Sequence, residues 1–243
     1  MCTLVMLRRP GHPWPLLLAA NRDEMHDRPS APPARHWEDR PDVVAGLDRL
    51  GGGSWLGIND HGLVAAVMNR QGSLGPAEGK RSRGELVLEA LDHAEAGEAA
   101  RALADLNPDA YRPFNLFVGD PRSAFWLRLR GEGTPAPVEL FEVPRGLHML
   151  TARELDDHSQ PRIRHHLPRF RAAGVPDPGR GDWAAWRSLL ASRIHGASDG
   201  AGAAMNVDFP QGFGTVSSAL IAVPAYPGPQ AKAVWLNANG PPH

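Results

Sequence analysis

Thr3-Leu4-Val5-Met6-Leu7, then Arg8-Arg9-Pro10-Gly11-His12-Pro13, then Pro15-Leu16-Leu17-Leu18-Ala19-Ala20: two apolar runs of strand length flank a segment of turn formers and read as a hairpin. The chain is therefore expected to begin directly in a sheet. Asn21-Arg22-Asp23-Glu24 ends the second run. In a hairpin the end of strand two lies beside the start of strand one, so this charged tetrapeptide is expected next to Cys2.

A second hairpin is predicted from Trp55-Leu56-Gly57-Ile58, the turn Asn59-Asp60-His61-Gly62, and Leu63-Val64-Ala65-Ala66-Val67-Met68, because the turn residues tolerate positive φ. Ser82 followed by Glu85 has the spacing of a capping box and predicts a helix through Leu86, Leu88, Leu91 and Ala94. A further helix is expected over Glu98 to Leu106. The apolar runs Phe114–Val118, Phe125–Leu129, Val138–Val143 and Leu147–Leu150 have links too short for helical crossovers and predict antiparallel strands. Helices near Ile163–Phe170 and Asp182–Ile194 follow, and Val216–Val223 and Ala231–Leu236 close the chain as strands. Roughly ten strands in hairpins, with helices grouped between them, indicate an α+β layered architecture rather than a doubly wound parallel sheet. With no repeat and no linker, residues 1–243 are expected to form one domain.

Composition narrows the function classes. Of 243 residues, Lys and Arg number 26 and Asp and Glu 27, so a formal charge of −1 offers no global attraction to nucleic acid or an anionic membrane. Hydrophobic residues at 42 % suffice for a sizeable core, whereas 26 Gly and 24 Pro predict many turns. One cysteine cannot form an internal disulfide, a Cys-based zinc site or a redox pair. No basic leader with a long apolar core opens the sequence and no apolar run nears the ~20 residues of a membrane span, so a soluble, cytoplasmic chain is expected.

Cys2 is the leading candidate for chemistry. Methionine before so small a residue is usually removed, which leaves thiol and α-amine on one residue, a nucleophile with its own base. Arg22 can hold a thiolate or orient a carbonyl, and Asp23 can accept hydrogen bonds from an α-ammonium. Asn69, after the strand ending at Met68, can donate to an oxyanion. Gly51-Gly52-Gly53-Ser54 lacks the Gly-Lys-Ser/Thr of a phosphate loop, and Ser217-Ser218 lacks a Gly-x-Ser-x-Gly frame. His165-His166 are adjacent and diverge on a helix, so no metal is expected, and Arg162, Arg164, Arg169 and Arg171 could grip an anionic group such as a nucleotide phosphate but read first as a solvated helix face.

The Met-Cys start, Ala20-Asn21-Arg22-Asp23-Glu24, Arg28-Pro29, Trp37, Gly52-Gly53-Ser54-Trp55-Leu56-Gly57, Gly62 to Asn69-Arg70 and Ser82-Arg83-Gly84 together resemble the NRDE family, which includes the transport and Golgi organisation 2 proteins. Phe114-Asn115-Leu116, Gly119-Asp120, Gly214-Thr215 and Ser217-Ser218 extend the likeness over most of the chain. That family is distantly similar to N-terminal-nucleophile hydrolases of the choloylglycine and penicillin-acylase kind. The resemblance implies a four-layer αββα sandwich of two antiparallel sheets.

It also implies Cys2 as nucleophile, Arg22 and Asp23 flanking it, and Asn69 in the oxyanion hole, with Asn21 or Glu24 able to take one of the polar roles and Thr151 at the substrate. Two positions depart from the pattern: Thr151-Ala152 stands where the hydrolases carry a Thr/Ser-Asn pair, and Val216 where many members carry arginine. The implied activity is hydrolysis or transfer at an amide or thioester of a small molecule, without a cofactor. The alternative is a binding or trafficking protein for haem, lipid or acyl-coenzyme A.

Overall fold

In the computed structural model, residues 2–131, 136–227 and 231–242 are described. Strands β1 (Thr3–Arg8), β2 (Leu16–Met25), β3 (Ser30–Ala34), β4 (Val43–Asp48), β5 (Leu56–Asn59) and β6 (Val64–Asn69) precede helices α1 (Gly84–Leu91) and α2 (Ala96–Ala104). Strands β7 (Phe114–Gly119), β8 (Ala124–Leu129), β9 (Glu139–Glu142) and β10 (Gly146–Leu150) follow, then α3 (Pro161–Ala172) and α4 (Ala184–Leu190), and finally β11 (Phe213–Val223) and β12 (Val234–Ala238). The strands form a five-stranded sheet ordered β10-β1-β2-β11-β12 and a seven-stranded sheet that runs in sequence order from β3 to β9, every pairing antiparallel.

Alternation along the strands sorts their side chains into layers. Leu4, Met6, Leu16 and Leu18 meet Leu56, Val64, Met68 and Phe117 between the sheets. Val5, Leu17 and Ala19, on the opposite face of the same strands, pack against Ile163, Leu167, Trp186 and Leu190 of α3 and α4. The outer face of the seven-stranded sheet buries Val43, Ala45 and Ala65 under Leu86, Val87, Leu91 and Ala100 of α1 and α2. The order is helices, sheet, sheet, helices: the αββα sandwich implied by the resemblance.

Both expected hairpins form, and Asn59 secures the second. Its Oδ1 accepts from His61 and Leu63 N–H groups while its Nδ2 donates to the carbonyls of Leu91 and His93, tying the turn to the end of α1. Strands β3 and β4 lie beyond the sequence reading. The Ser82/Glu85 capping box does not form either: Ser82 Oγ accepts from Gly84 N, the Glu85 carboxylate goes to Arg81, and α1 stops at Leu91 rather than reaching Ala94. Helix α2 starts and ends two residues earlier than expected, and α4 is confined to Ala184–Leu190. No helix among the described residues is long and apolar enough to cross a membrane.

Two glycines matter to the site. A Cβ on Gly53 would stand 2.4 Å from the Gly84 carbonyl carbon, so the Gly-rich lead into β5 can cross the start of α1 only without side chains there. A Cβ on Gly46 would stand 2.4 Å from the Trp55 ring, so β4 is hollowed where that indole lies.

Candidate active site

Thr3 pairs with Asn21 in the β1–β2 ladder, and carrying the register one residue further sets Cys2 opposite Arg22. Both belong to the face between the sheets, where they border a cavity of about 30 Å³ with Leu4, Trp55, Met68 and Ser217. Such a space holds about one or two water molecules. Cys2 Sγ lies 3.6 Å from the Asp23 carbonyl oxygen. Burial pushes the thiol above its ordinary pKa; the negative charge of Asp23 adds to the rise and the Arg22 guanidinium opposes it.

Arg22 is 6 % exposed, yet its guanidinium makes no hydrogen bond or ion pair to the described residues. Its guanidinium instead lies 4.0 Å from the centre of the Trp55 ring, a cation–π contact. Burial lowers its pKa, against the pull of the Cys2, Glu24 and Asp48 charges. A buried cation without a bonded anion, aimed at the cavity that holds the thiol, suits a thiolate or a developing oxyanion.

Asn21 and Asp23 point the other way, into the α3–α4 layer. Asn21 Nδ2 donates to the carbonyls of Leu190 and Met205, and its Oδ1 accepts from Ser218 Oγ at 2.7 Å. Asp23 is buried with Oδ1 accepting from Thr215 Oγ1 and Oδ2 from Arg162 Nη1, each at 2.8 Å. A register shift between Thr215 and Ser217 bulges β11 opposite these residues. Arg162, expected on a solvated face, is 2 % exposed and also donates to Thr3 Oγ1 and to the Gly202 carbonyl. The solvated reading is corrected for this arginine because it projects into the sheet, where the Asp23 carboxylate receives it.

The remaining expected residues scatter. Asn69 ends β6 one residue beyond Ala66, Val67 and Met68, which line the cavity, and its side chain makes no hydrogen bond among the described residues. Glu24 turns to Arg28, 3.7 Å away. Thr151 is buried; its carbonyl accepts from Asn115 Nδ2, and its hydroxyl has no partner among the described residues. The β1–β10 ladder ends at Leu4–Leu150, and the Ala152 carbonyl, two residues on, accepts from the Gln71 N–H. Met1 lies outside the described residues.

The sequence reading missed Arg83 and Asn115 as site residues. Arg83 donates to the Ser73 and Pro113 carbonyls and to Ser73 Oγ; burial and Arg112 lower its pKa to about 10, with Cys2 and Glu24 within its field. Asn115 donates to the carbonyls of Thr151 and Arg153 and accepts from Arg70 and the Trp126 indole. Both residues sit in the Ser82-Arg83-Gly84 and Phe114-Asn115-Leu116 blocks, the one signal that pointed to them. Among the described residues no three His, Cys, Asp or Glu side chains gather as metal ligands.

A family model described as "Transport and Golgi organisation 2" matches residues 1–174. The transport and Golgi organization protein 2 homologs of Bos taurus and Homo sapiens are 37 % identical over 110 residues and 36 % identical over 114, covering 43 % and 45 % of this chain. These alignments cover 38 % and 40 % of the relatives, so the chain spans about two fifths of the length of the curated proteins it matches. Among solved structures, the Caenorhabditis elegans N-acylethanolamine-hydrolyzing acid amidase ortholog superposes with TM-score 0.54 at 12 % identity, covering 97 % of this chain and 100 % of that one. The C2A mutant of the conjugated bile acid hydrolase from Clostridium perfringens gives 0.52 at 12 % identity, over 96 % and 92 %. At these identities the likeness bears on the fold alone, and it matches the N-terminal-nucleophile hydrolase sandwich implied by the sequence resemblance.

Proposed function

The chain belongs to the transport and Golgi organisation 2 family, and from that membership and the surroundings of Cys2 we propose that it is an N-terminal-nucleophile cysteine hydrolase of small-molecule amides or thioesters. The observation that carries the proposal is that Cys2 and Arg22 line the same cavity, and that the buried Arg22 guanidinium has no hydrogen-bond or ion-pair partner among the described residues.

In this reading removal of Met1 gives Cys2 a free α-amine. The amine takes the thiol proton, Sγ attacks the carbonyl carbon, and the oxygen gains the negative charge, which Arg22 and an Asn69 N–H stabilise. The carbon–nitrogen or carbon–sulfur bond breaks, the leaving group takes the proton from the α-ammonium, and the acyl group stays on Sγ. Water then gives a proton to the amine and attacks the thioester, releasing the acid and restoring the thiol. Asp23, fixed by Arg162 and Thr215, orients the amine. Ala152 supplies no side-chain donor, and one lost oxyanion donor is worth about 2.7–4 kcal/mol of barrier, so slow turnover is expected.

Rates of wild type and Cys2→Ala on a panel of acyl amides and acyl thioesters test the proposal. Turnover that vanishes in the variant supports it, and equal rates reject it.

The partly buried place of Cys2 favours the second reading, a site that holds haem, lipid or acyl-coenzyme A without cleaving, because burial disfavours the thiolate. Titrations with haemin and an acyl-coenzyme A test it, since a ligand held but never cleaved gives saturable binding with no acid released.

A further inference from the structure

The cavity at Cys2, about 30 Å³, has room for a scissile group and no more, whereas a second pocket of about 440 Å³ is lined by Ala152 and Arg153, just past the end of β10, the strand that pairs with β1. That larger volume lies in the range of small-ligand sites. Arg70, Gln71, Arg153, Glu154 and Asp157 line it.

Its construction is specific. Asn115, fully buried, holds Arg70 through Oδ1 and the Thr151 and Arg153 carbonyls through Nδ2, so one amide fixes both arginine positions. Arg153 spends its Nε on Gln71, and its terminal guanidinium nitrogens bond none of the described residues. Glu154 is shared by Arg70 and Arg128, and Glu139 by Arg128 and Arg130. Asp157 accepts from the Ser159 N–H in its own turn. The described lining thus carries two guanidiniums, Arg70 and Arg153, and two carboxylates, Glu154 and Asp157; Arg70 is taken up by Asn115 and Glu154, and the terminal fork of Arg153 has no partner among the described residues. The crowding shows at Arg70, whose pKa is lowered by burial and by the neighbouring Arg128 and Arg130.

We propose that this pocket takes the body of the substrate and that Arg153, with Arg70 behind it, binds a carboxylate or phosphate carried by that body: the cleaved amide or thioester is anionic. A planar guanidinium fork matches both groups. The placement of the scissile bond rests on the hydrolase reading; the binding of the anion does not.

The test uses the full chain carrying Cys2→Ala, so that binding is measured without turnover. Titration calorimetry compares N-octanoylglycine with its uncharged methyl ester, and N-octanoyl-phosphoethanolamine with N-octanoylethanolamine. In at least one pair the charged compound should bind roughly tenfold more tightly or better, as a charge-assisted hydrogen bond requires, and the pair that discriminates identifies the group. Adding Arg153→Met should erase the preference while leaving the unfolding temperature and the affinity of the neutral compound unchanged. Equal affinities within both pairs, or a preference that survives Arg153→Met, overturn the proposal. If the anion binds as expected but wild type cleaves none of the four compounds, the hydrolase reading of these substrates fails and the pocket stands.

Discussion

Arg162 and Asp23 form a buried ion pair, Nη1 to Oδ2 at 2.8 Å, that ties α3 to β2 directly behind the Cys2 site. Because the same Nη1 donates to Thr3 Oγ1, the pair also fixes the residue after Cys2. Removing one partner of a buried pair costs about 3–5 kcal/mol. Arg162→Met should therefore lower stability by that order in urea unfolding, and Asp23→Asn in the same chain should recover part of the loss, a coupling of about 1–3 kcal/mol.

While Met1 is attached, the Cys2 thiol should titrate above free cysteine, because burial outweighs the lowering by the N-terminal charge. With its pKa raised by burial, the thiolate fraction near neutral pH is depressed, so alkylation by iodoacetamide should be slow at pH 7 and climb to a midpoint above that of a model thiol. Arg22 favours the thiolate, so Arg22→Met should move the midpoint further up. Rate against pH for the two proteins, with peptide mapping to Cys2, checks both the position and the order.

Trp55 is held by the space at Gly46 and supports Arg22 from below. Gly46→Ala puts a methyl where the indole is and should cost about 1–3 kcal/mol by overpacking. A displaced indole also frees Arg22, so this variant should shift the Cys2 alkylation midpoint in the same direction as Arg22→Met. Chemical denaturation and the alkylation profile read the two effects separately.

His166 on α3 is fully buried, and burial, with help from His165 and the nearby Arg169 and Arg162, lowers its pKa to about 4. The unfolded chain takes up this proton near pH 6.5 and the folded one only near 4, so folding loses stability as pH falls through that window. The loss is on the order of 3 kcal/mol across it. His166→Leu should flatten the dependence of unfolding free energy on pH between 6.5 and 4; an unchanged slope assigns it to other groups.

The hairpins were legible because apolar runs bounded by turn formers admit few alternatives, and the closeness of Cys2 to Arg22 follows from hairpin geometry alone. β3 and β4 were not legible. Pro32 and Pro33 remove ladder donors from β3, which survives as an edge strand with an irregular register between Ala31 and Ala34, and β4 alternates over only Val43–Asp48. Arg162 was misread because charge on a helix usually means water, and its anionic partner lies 139 residues away in sequence. The role of Asn115 is long-range for the same reason: it joins β7 of one sheet to the segment that follows β10 of the other, whereas Arg83 ties together the segments after β6 and before β7 within one sheet.

The most direct measurement is the intact mass of the purified chain before and after brief exposure to an activated acyl thioester, with peptide mapping of the product. The expected result is a chain lacking Met1 that gains one acyl group on Cys2 and loses it on standing in buffer. A chain that keeps its initiator methionine and acquires no acyl group at Cys2 would contradict the nucleophile assigned here.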